Sequence, residues 1–564
     1  MRQFADQCLD LAQLILGQRL GSLERESAPA GEKWEDGAVA GALTAYVAQA
    51  SPGVAAEETF VEVAAQRIAA QFYYGGDSGE GCALAALALV HASLNRARNE
   101  VWKRLTPEMQ ALIRSWMRTP LPSDRPGEKI YAVVQAIVAG AMGFVEKDNS
   151  DALMGSFLEY HAQEGFVDTA TAGLGGRYDA SGLLRLMLFR EALQRHANVH
   201  IRERRLPTLR TCLQRYLRLL PQIVSSGGDG WAYGLPQGPL ATASCCSLIA
   251  CSMADGWIGE AERESYADLL GRLFRHFFLH HLNREEGCIV GVHSNGEYFA
   301  VVRQLLLCSQ FGRLVRDKFT APGTTAPSVP CGGRFLSFDS STRKEQGLWV
   351  YRGSPDGPVL QLPLVGGDGV GSCAHLAFPH CCGLVDGPAE GRRPVFVPEL
   401  TWEGTATTPS HFGKNITSGL GKRREFQFRY EQPDLITPAE EMVPGLASCR
   451  VQWTFCEDQI RAEFLYSPKR TVRLDRFSYA VAFLDGQMAD GTVYELRPEV
   501  LLDDFHGEWQ PPLDVSQDPR MRTVDGRQIQ HLIFLERLLP LQLQPNRSYG
   551  FSVVLHLERV PGQA

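Results

Sequence analysis

The spacing of apolar residues changes once along this 564-residue chain, near residue 320. Before that point apolar residues recur every three or four positions, the period of amphipathic helices. After it they alternate with polar residues, which is typical of strands with one buried face. The segment between, residues 320–330 (TAPGTTAPSVP), is rich in Pro, Thr and Gly, and this composition indicates a linker. The chain therefore consists of a helical part followed by a β part.

The helical part is predicted to hold about twelve helices joined mostly by short loops. One of them, over 79–98, is apolar on most faces and is predicted to be an inner helix. Thr106 and Pro107 form a good helix start, with Thr as the N-cap and Pro at the first helical position. Short connections make neighbouring helices antiparallel, which fits a bundle, a solenoid or a closed double ring. The absence of an internal repeat disfavours the solenoid.

The β part contains ten or more predicted strands without helices between them, which indicates an antiparallel sandwich. We thus expect a multidomain chain in the α and β class. Its predicted parts are an all-α domain over 1–318, a Pro/Thr/Gly linker over 319–332 and an antiparallel β-sandwich over 333–564.

Composition and charge exclude several classes of protein. With 44% hydrophobic and 21% charged residues, the chain is not largely disordered. Its 56 basic and 64 acidic side chains are interspersed, for a net charge of -8, and form no basic stripe. We therefore expect neither a nucleic-acid partner nor a membrane partner.

The N-terminal segment and the cysteines favour a cytoplasmic location. Asp6 and Asp10 interrupt the first twenty residues, so no continuous apolar core of a signal peptide forms. The 14 cysteines include the adjacent pairs Cys245–Cys246 and Cys381–Cys382, which suit a disulfide framework poorly. We expect reduced thiols in a cytoplasmic protein.

Three segments carry a resemblance to a known family. Residues 163–168 (QEGFVD) with 177–184 (RYDASGLL), residues 227–242 (GGDGWAYGLPQGPLAT) and residues 288–300 (CIVGVHSNGEYFA) occur in an order that resembles the heparinase II/III-like polysaccharide lyases. The resemblance implies an (α/α) toroid followed by an antiparallel sandwich. It also implies an enzyme that cleaves uronate-containing glycans by β-elimination, with an acidic oligosaccharide or polysaccharide as substrate.

Two departures from the family pattern bear on activity. The family's Tyr-Gly-Arg-Ser turn reads Tyr-Gly-Leu-Pro over 233–236, so the Arg is missing. The helix over 130–135 (IYAVVQ) has no counterpart of the Asn that many of these lyases direct at the uronate carboxylate. The site is therefore either rebuilt or catalytically silent.

Uronate elimination needs donors on the sugar carboxylate, a base for the C5 proton and an acid for the leaving oxygen. By the resemblance, the three catalytic candidates are Tyr178, Tyr233 and His293, with Tyr or His as base and Tyr as acid. The alternative is structural: Tyr178 and Tyr233 as packing residues and His293 as a satisfied loop histidine.

Six further residues are predicted to bind substrate. Arg177, Gln237 and Asn295 offer donors to a carboxylate, and Trp231 offers a surface on which a sugar ring can stack. The remaining two are Tyr298, a binding group or alternative acid, and Tyr74, in an aromatic and acidic loop suited to line a sugar cleft. In the structural alternative, Ser294 or Asn295 simply caps the helix beginning near 297.

No cofactor is predicted, although one segment has metal-binding side chains. His375, His380 and Cys381 lie close together in the sequence and are ligand types that zinc accepts. The spacing is not that of a zinc motif, and the same residues fit a strand.

Two other functions stay open. A glycoside hydrolase would need two carboxylates across the scissile bond; the acidic candidates for it are Asp77, Glu80, Asp168, Asp179 and Asp229. The other is a catalytically silent glycan-binding or scaffold protein, which the missing Arg and Asn favour.

Overall fold

The computed structural model describes the following residues: 1–23, 35–49, 56–75, 79–94, 96–121, 129–145, 149–163, 180–224, 227–228, 238–283, 285–292, 294–315, 331–338, 346–353, 359–364, 384–387, 391–394, 397–409, 414–421, 425–437, 441–456, 459–483, 492–501, 513–514, 522–523 and 531–561. The contacts divide the chain into two compact units, one that holds the helices and one that holds the strands from Gly332 onward. No helix in these ranges combines the length and the apolar character that crossing a lipid bilayer requires.

The described residues up to 315 form thirteen α-helices, in agreement with the dozen predicted. They are α1 (Arg2–Leu23), α2 (Glu35–Val47), α3 (Ala56–Tyr74), α4 (Gly79–Ala92), α5 (Glu100–Arg104), α6 (Pro107–Arg118), α7 (Lys129–Ala141), α8 (Ser150–Gln163), α9 (Ala180–Arg195), α10 (Val199–Ile223), α11 (Gly238–Ala254), α12 (Glu260–His280) and α13 (Asn295–Leu314).

Six of these helices form a closed inner ring. The order of contacts around it is α2, α4, α7, α9, α11 and α13, and α13 packs back against α2. Outside the ring, α1 packs on α13, α3 on α2 and α4, α8 on α7, and α12 on α11. The helices α2, α4 and α11 are buried around nearly their whole circumference, because they have neighbours on every side. The helical unit is therefore a two-layer toroid.

The inner helices run in the same direction. Ser247 and Gln304, each nine residues after the first residue of its helix, hydrogen-bond between α11 and α13 at 2.6 Å. Gly37 of α2 lies directly against Gly81 of α4, each two residues after its helix start. All inner helices thus begin at one end of the ring. We call that end the leading rim, formed by their first turns at Glu35, Gly79, Lys129, Ala180, Gly238 and Asn295, and the opposite end the trailing rim.

The predicted helix over 79–98 is too long, because α4 ends at Ala92 and Asn99 stabilises that end. The Asn99 amide donates to the carbonyls of Leu89 and Ser93, at 2.7 and 2.8 Å, and so ends α4. Its side-chain oxygen accepts from the backbone N–H of Trp102, at 2.9 Å, and so begins α5. One buried side chain satisfies polar groups of two helix ends that would otherwise lack partners. By contrast, the predicted start of α6 is confirmed, with Thr106 as the N-cap.

The second unit consists of strands. The short pair β1 (Leu282–Asn283) and β2 (Cys288–Ile289) belongs to the helical unit, where it precedes α13. The strands from Gly332 onward are β3 (Gly332–Phe338), β4 (Gln346–Arg352), β5 (Val359–Leu364), β6 (Leu384–Gly387), β7 (Gly391–Pro394), β8 (Pro398–Trp402), β9 (Thr405–Thr407), β10 (Lys414–Leu420), β11 (Phe426–Gln432), β12 (Leu435–Ile436), β13 (Met442–Val443), β14 (Ala447–Phe455), β15 (Gln459–Pro468), β16 (Val472–Phe483), β17 (Thr492–Leu501), β18 (Leu513–Asp514), β19 (Arg522–Thr523), β20 (His531–Leu543) and β21 (Tyr549–Pro561).

Two large antiparallel sheets, two three-stranded sheets and the pair β12-β13 organise these strands. The larger sheets have the orders β10-β11-β14-β15-β21-β17 and β18-β20-β16-β8-β9, and the smaller ones β3-β4-β5 and β19-β6-β7. Phe551 of β21 joins the two large sheets, since its ring lies 4.8 Å from both Phe464 of β15 and Phe477 of β16. Trp349 of β4 stacks on Phe428 of β11 at 5.0 Å and so adds the β3-β4-β5 sheet to the same core. The predicted antiparallel sandwich is confirmed.

Candidate functional site

Most of the predicted site residues lie outside the described residues. These are Arg177, Tyr178, Trp231, Tyr233, Gln237 and His293, together with the zinc candidates His375, His380 and Cys381. Their roles stay predictions. The described helices that follow them in the sequence are α9, α11 and α13, and all three begin at the leading rim.

A cluster of three interacting side chains lies at the leading rim. The Tyr131 hydroxyl in the first turn of α7 interacts electrostatically with the Glu80 carboxylate in the first turn of α4. Tyr131 also interacts with Arg185, which lies in the second turn of α9. We call Glu80, Tyr131 and Arg185 the rim triad. Because the three residues come from three inner helices, the closed ring itself holds them together.

The electrostatics of the rim triad raise the pKa of both of its acidic groups. Glu80 is exposed to solvent, yet the surrounding protein desolvates its carboxylate enough to raise its pKa, against the lowering effects of Tyr131 and Arg185. Burial is also the main reason that the pKa of Tyr131 is raised, and the neighbouring Glu80 charge raises it further. Tyr131 therefore stays protonated near neutral pH and can act as a proton donor.

Arg185 supplies the positive charge of the cluster. Its Nη1 is buried without a hydrogen-bond partner among the residues that the structure describes. The Arg185 charge also acts on His161 of α8, whose pKa falls to about 3, chiefly through burial and further through Arg185 and Arg215. His161 is thus neutral, and it does not share the work of an acid or a base near neutral pH. An arginine with an unused N–H is suited to bind a carboxylate.

The structure describes three of the predicted substrate-binding residues. Tyr74 ends α3 and is 79% exposed, with its ring edge-to-face against Tyr73 at 4.8 Å. Asn295 is the exposed first residue of α13, and the hydroxyl of Ser294 caps this helix by accepting from the backbone of Glu297 at 3.1 Å. Asn295 itself is therefore not required as the cap, and its side chain remains available at the leading rim.

Tyr298, the third, belongs to the core of the helical unit. Its side chain is 2% exposed, and the Arg19 guanidinium lies 4.6 Å from its ring centroid. Burial raises the pKa of the Tyr298 hydroxyl. A side chain covered to this extent does not reach a sugar, so Tyr298 lies outside the site that we propose.

Sequence reasoning missed Tyr131 and Arg185 as site residues. Arg185 had a signal, since it is the one charged residue in the apolar run over 183–189 (LLRLMLF). The segment over 130–135 lacks the Asn of the family pattern, and its functional candidate is Tyr131. Gln135 of the same segment is structural, because it donates to the carbonyls of Trp116 and Thr119 at 2.7 and 2.9 Å.

Comparison with known proteins bears on the fold. No protein-family model matches the chain, and no curated protein matches it. Among solved structures, a Paenibacillus xanthan lyase is 10% identical with a TM-score of 0.50, over 99% of this chain and 57% of that chain. The chain thus spans a little over half the length of the xanthan lyase.

Two other solved structures are similar at lower TM-scores. The chondroitin AC lyase of Streptomyces coelicolor A3, solved in complex with chondroitin sulphate, is 12% identical over 98% of this chain and 83% of that chain, with a TM-score of 0.42. A glycosyl hydrolase family 88 protein from Bacteroides vulgatus is 10% identical over 54% of this chain and 99% of that chain, with a TM-score of 0.38. The xanthan lyase match shows a shared fold, the helical toroid followed by antiparallel sheets, and the heparinase II/III-like assignment stays a prediction.

Proposed function

We propose that this protein is a carbon–oxygen lyase that cleaves uronate-containing oligosaccharides or polysaccharides by β-elimination at the leading rim. The observation that carries the proposal is the rim triad, in which a protonated Tyr131 lies between a carboxyl group and an arginine. The fold shared with xanthan lyase supports a glycan substrate. Function follows from the site and not from the fold, so the triad has the greater weight.

Arg185 provides what the missing family residues would otherwise supply. When the half-buried Arg185 guanidinium binds the uronate carboxylate, the negative charge of that group is offset and the C5 proton becomes easier to remove. Asn295, exposed at the first turn of α13, offers an amide for the same carboxylate or for a hydroxyl of the sugar. The Arg and Asn of the family pattern are thus replaced by groups from α9 and α13.

The elimination then needs a base and an acid. A base removes the C5 proton, the electron pair of that bond forms the C4–C5 double bond, and the C4–O bond breaks. Tyr131 is the proposed acid, because its raised pKa keeps a proton available for the departing glycosidic oxygen. Glu80, which interacts with Tyr131, would relay a proton from solvent to it after each turnover. Tyr178, Tyr233 and His293, sequence neighbours of leading-rim helices, are the candidates for the base.

The test is the ultraviolet absorbance of the conjugated unsaturated uronate, measured with oligosaccharides from glucuronan, alginate, pectin and glycosaminoglycans. We expect absorbance to rise with at least one substrate and Tyr131→Phe to lower kcat about 100-fold or more. The matched control is Tyr266→Phe in the outer layer. It removes a hydroxyl that donates to the Leu217 carbonyl at 3.1 Å, far in sequence from the triad, and should leave kcat within about twofold.

Three results would contradict the lyase. An absorbance rise unaffected by Tyr131→Phe would remove the triad from the mechanism. Accumulating reducing ends without the chromophore would establish a hydrolase, for which the raised pKa of Glu80 suits a general acid. Saturable glycan binding with neither product would establish the silent glycan-binding protein.

A further inference from the structure

The trailing rim of the ring contains a second cavity. It measures about 800 Å³ and is lined by residues of α2, α3, α4, α5 and α9 and of the segment between α4 and α5. This volume lies in the range of sites that hold small organic molecules. His91, at its floor, is eleven residues after Glu80 on α4, which places the two about 16 Å apart along the helix axis. The cavity is therefore separate from the rim triad.

The charges of the cavity wall do not balance. Glu58 is paired with Arg104 at 3.1 Å, and Glu100 is paired with Lys103 at 2.7 Å. The remaining two arginines of the wall, Arg98 and Arg195, form no ion pair with any carboxylate that the structure describes. Arg104 also pairs with Glu62 at 2.8 Å, and Arg195 interacts electrostatically with Glu191. Arg98 and Arg195 are thus the arginines of the wall that make no ion-pair contact with a carboxylate among the described residues.

A buried network fixes Arg195 in place. The Nη2 of Arg195 donates to Nδ1 of His91 at 3.3 Å, so the His91 proton lies on Nε2, which donates to the Glu191 carboxylate. Glu191 in turn pairs with Arg303 of α13. Arg303 and His91 contact Glu191 directly, and Arg195 adds a weaker electrostatic interaction with it, so the Arg195 guanidinium keeps donors for a ligand. The network joins three inner helices, so the floor of the cavity is preorganised.

The remaining wall is apolar. Val47 and Thr44 come from α2, Val61 and Ala64 from α3, and Val101 from α5. A ligand that fills the cavity would therefore set a nonpolar face against these side chains and direct its charge toward the two arginines. Arginine binds carboxylates and phosphates in the same bidentate manner, so the shared chemistry is that of a doubly charged anion.

We propose that the trailing-rim cavity binds a small organic dianion with one apolar face, held by Arg195 at the floor and Arg98 at the mouth. The site does not depend on the proposed lyase activity. Two probes distinguish its chemistry: phthalate, with two carboxylates on a ring, and phenyl phosphate, with one phosphate on a ring. Inorganic phosphate tests the charge alone, and benzamide, which is uncharged, tests the apolar face alone.

The experiment is calorimetric titration of the full chain with each probe at low ionic strength. We expect one of the two aromatic dianions to bind with one-to-one stoichiometry and at least tenfold more tightly than inorganic phosphate or benzamide. Arg195→Gln and Arg98→Gln should each weaken that binding about tenfold, and the control Arg210→Gln, which removes the same charge from an exposed position on α10, should not.

Arg98→Gln protects the test from misfolding, because Arg98 is exposed and its loss breaks no ion pair that the structure describes. The site is supported if phthalate or phenyl phosphate binds and if Arg195→Gln and Arg98→Gln both weaken that binding. The probe that binds more tightly then identifies carboxylate or phosphate chemistry. Absence of one-to-one binding for both probes overturns the proposal. So does binding that Arg210→Gln weakens as much as Arg98→Gln, since that result would reflect general surface charge.

Discussion

The Tyr131 hydroxyl interacts with the Glu80 carboxylate across the first turns of α7 and α4, and Arg185 of α9 interacts with the same tyrosine. Each of the three helices contributes one residue, so every interaction within the triad joins two different helices. The geometry of the triad therefore depends on closure of the inner ring. A lesion that loosens the ring should lower activity even where it lies far from these side chains.

Arg185→Gln should separate charged from neutral substrates. Loss of the guanidinium removes the proposed carboxylate partner, so KM for a free uronate oligosaccharide should rise and kcat should fall. Together these changes should lower kcat/KM about 100-fold. Binding of the matching methyl-esterified oligosaccharide, which has no carboxylate charge, should change less than about threefold. Parallel kinetic and binding measurements on the two substrates test this, and equal losses for both would argue against the clamp.

Arg303→Leu should be strongly destabilising. Glu191 is fully buried, and Arg303 is the largest of the positive charges that hold its pKa down to about 2. Removing one partner of a buried pair leaves an uncompensated charge, which costs about 3–5 kcal/mol. Arg450→Leu, which breaks an exposed pair with Glu431 at 3.3 Å, should cost less than about 1 kcal/mol. Urea unfolding of both variants provides the comparison, and similar midpoints would count against it.

The free energy of unfolding should fall in two pH ranges as the pH is lowered. The folded pKa of His161 is about 3 against 6.5, so the unfolded chain binds more protons below pH 6.5 and stability falls from there toward pH 3. The folded pKa of Glu191 is about 2 against 4.5, so the stability it contributes is complete above pH 4.5 and is lost between pH 4.5 and 2. Each group alone gives a slope of at most about 1.4 kcal/mol per pH unit.

His161→Gln should therefore flatten the unfolding free energy between pH 6.5 and 4.5. His200→Gln, at a site whose side chain is 94% exposed, should leave the curve as in the wild type. Denaturant titrations at several pH values measure the slopes, which do not depend on the absolute cost of either substitution. Identical slopes for both variants would contradict the assignment to His161.

Asn99→Ala should destabilise the helical unit by about 2 kcal/mol or more. The substitution removes the N-cap of α5 and leaves the carbonyls of Leu89 and Ser93 without their donor. Thr106→Ala removes only one exposed cap and should cost about 1 kcal/mol. Thermal and chemical unfolding of the pair check this, and a smaller cost for Asn99→Ala would show that water replaces its hydrogen bonds.

Gly37→Ala and Gly17→Ala should change stability in opposite directions. A Cβ at Gly37 would lie 2.1 Å from the Gly81 carbonyl oxygen, so α2 and α4 would have to move apart, at about 1–3 kcal/mol or more. A Cβ at Gly17 of α1 would meet nothing within 4 Å, and alanine should gain about 0.5–1 kcal/mol from its helix propensity. Unfolding midpoints below and above wild type are expected, and a neutral Gly37→Ala would refute the close approach.

The fold was predictable because apolar spacing is a local signal. Residues 425–432 (EFQFRYEQ) alternate as a half-buried strand does, and they form β11 with Phe428 and Tyr430 inside. The end of α4 was not predictable in this way, because Asn99 acts through hydrogen bonds to residues on both sides of it. The rim triad joins positions about fifty residues apart on three helices, and no local pattern connects them. The predicted site residues adjoin α9, α11 and α13 in the sequence, and their roles remain predictions.

Closure of the ring also sets an order of events during synthesis. The side chain of Gln49, just after α2, donates to the carbonyl of Leu306 in α13, a residue 257 positions later in the chain. The nascent α2 must therefore wait for α13 to leave the ribosome before that flank is covered, and such long-range contacts slow folding. A chain released before residue 295 would display this uncovered surface, which makes the unfinished protein a natural client for chaperones.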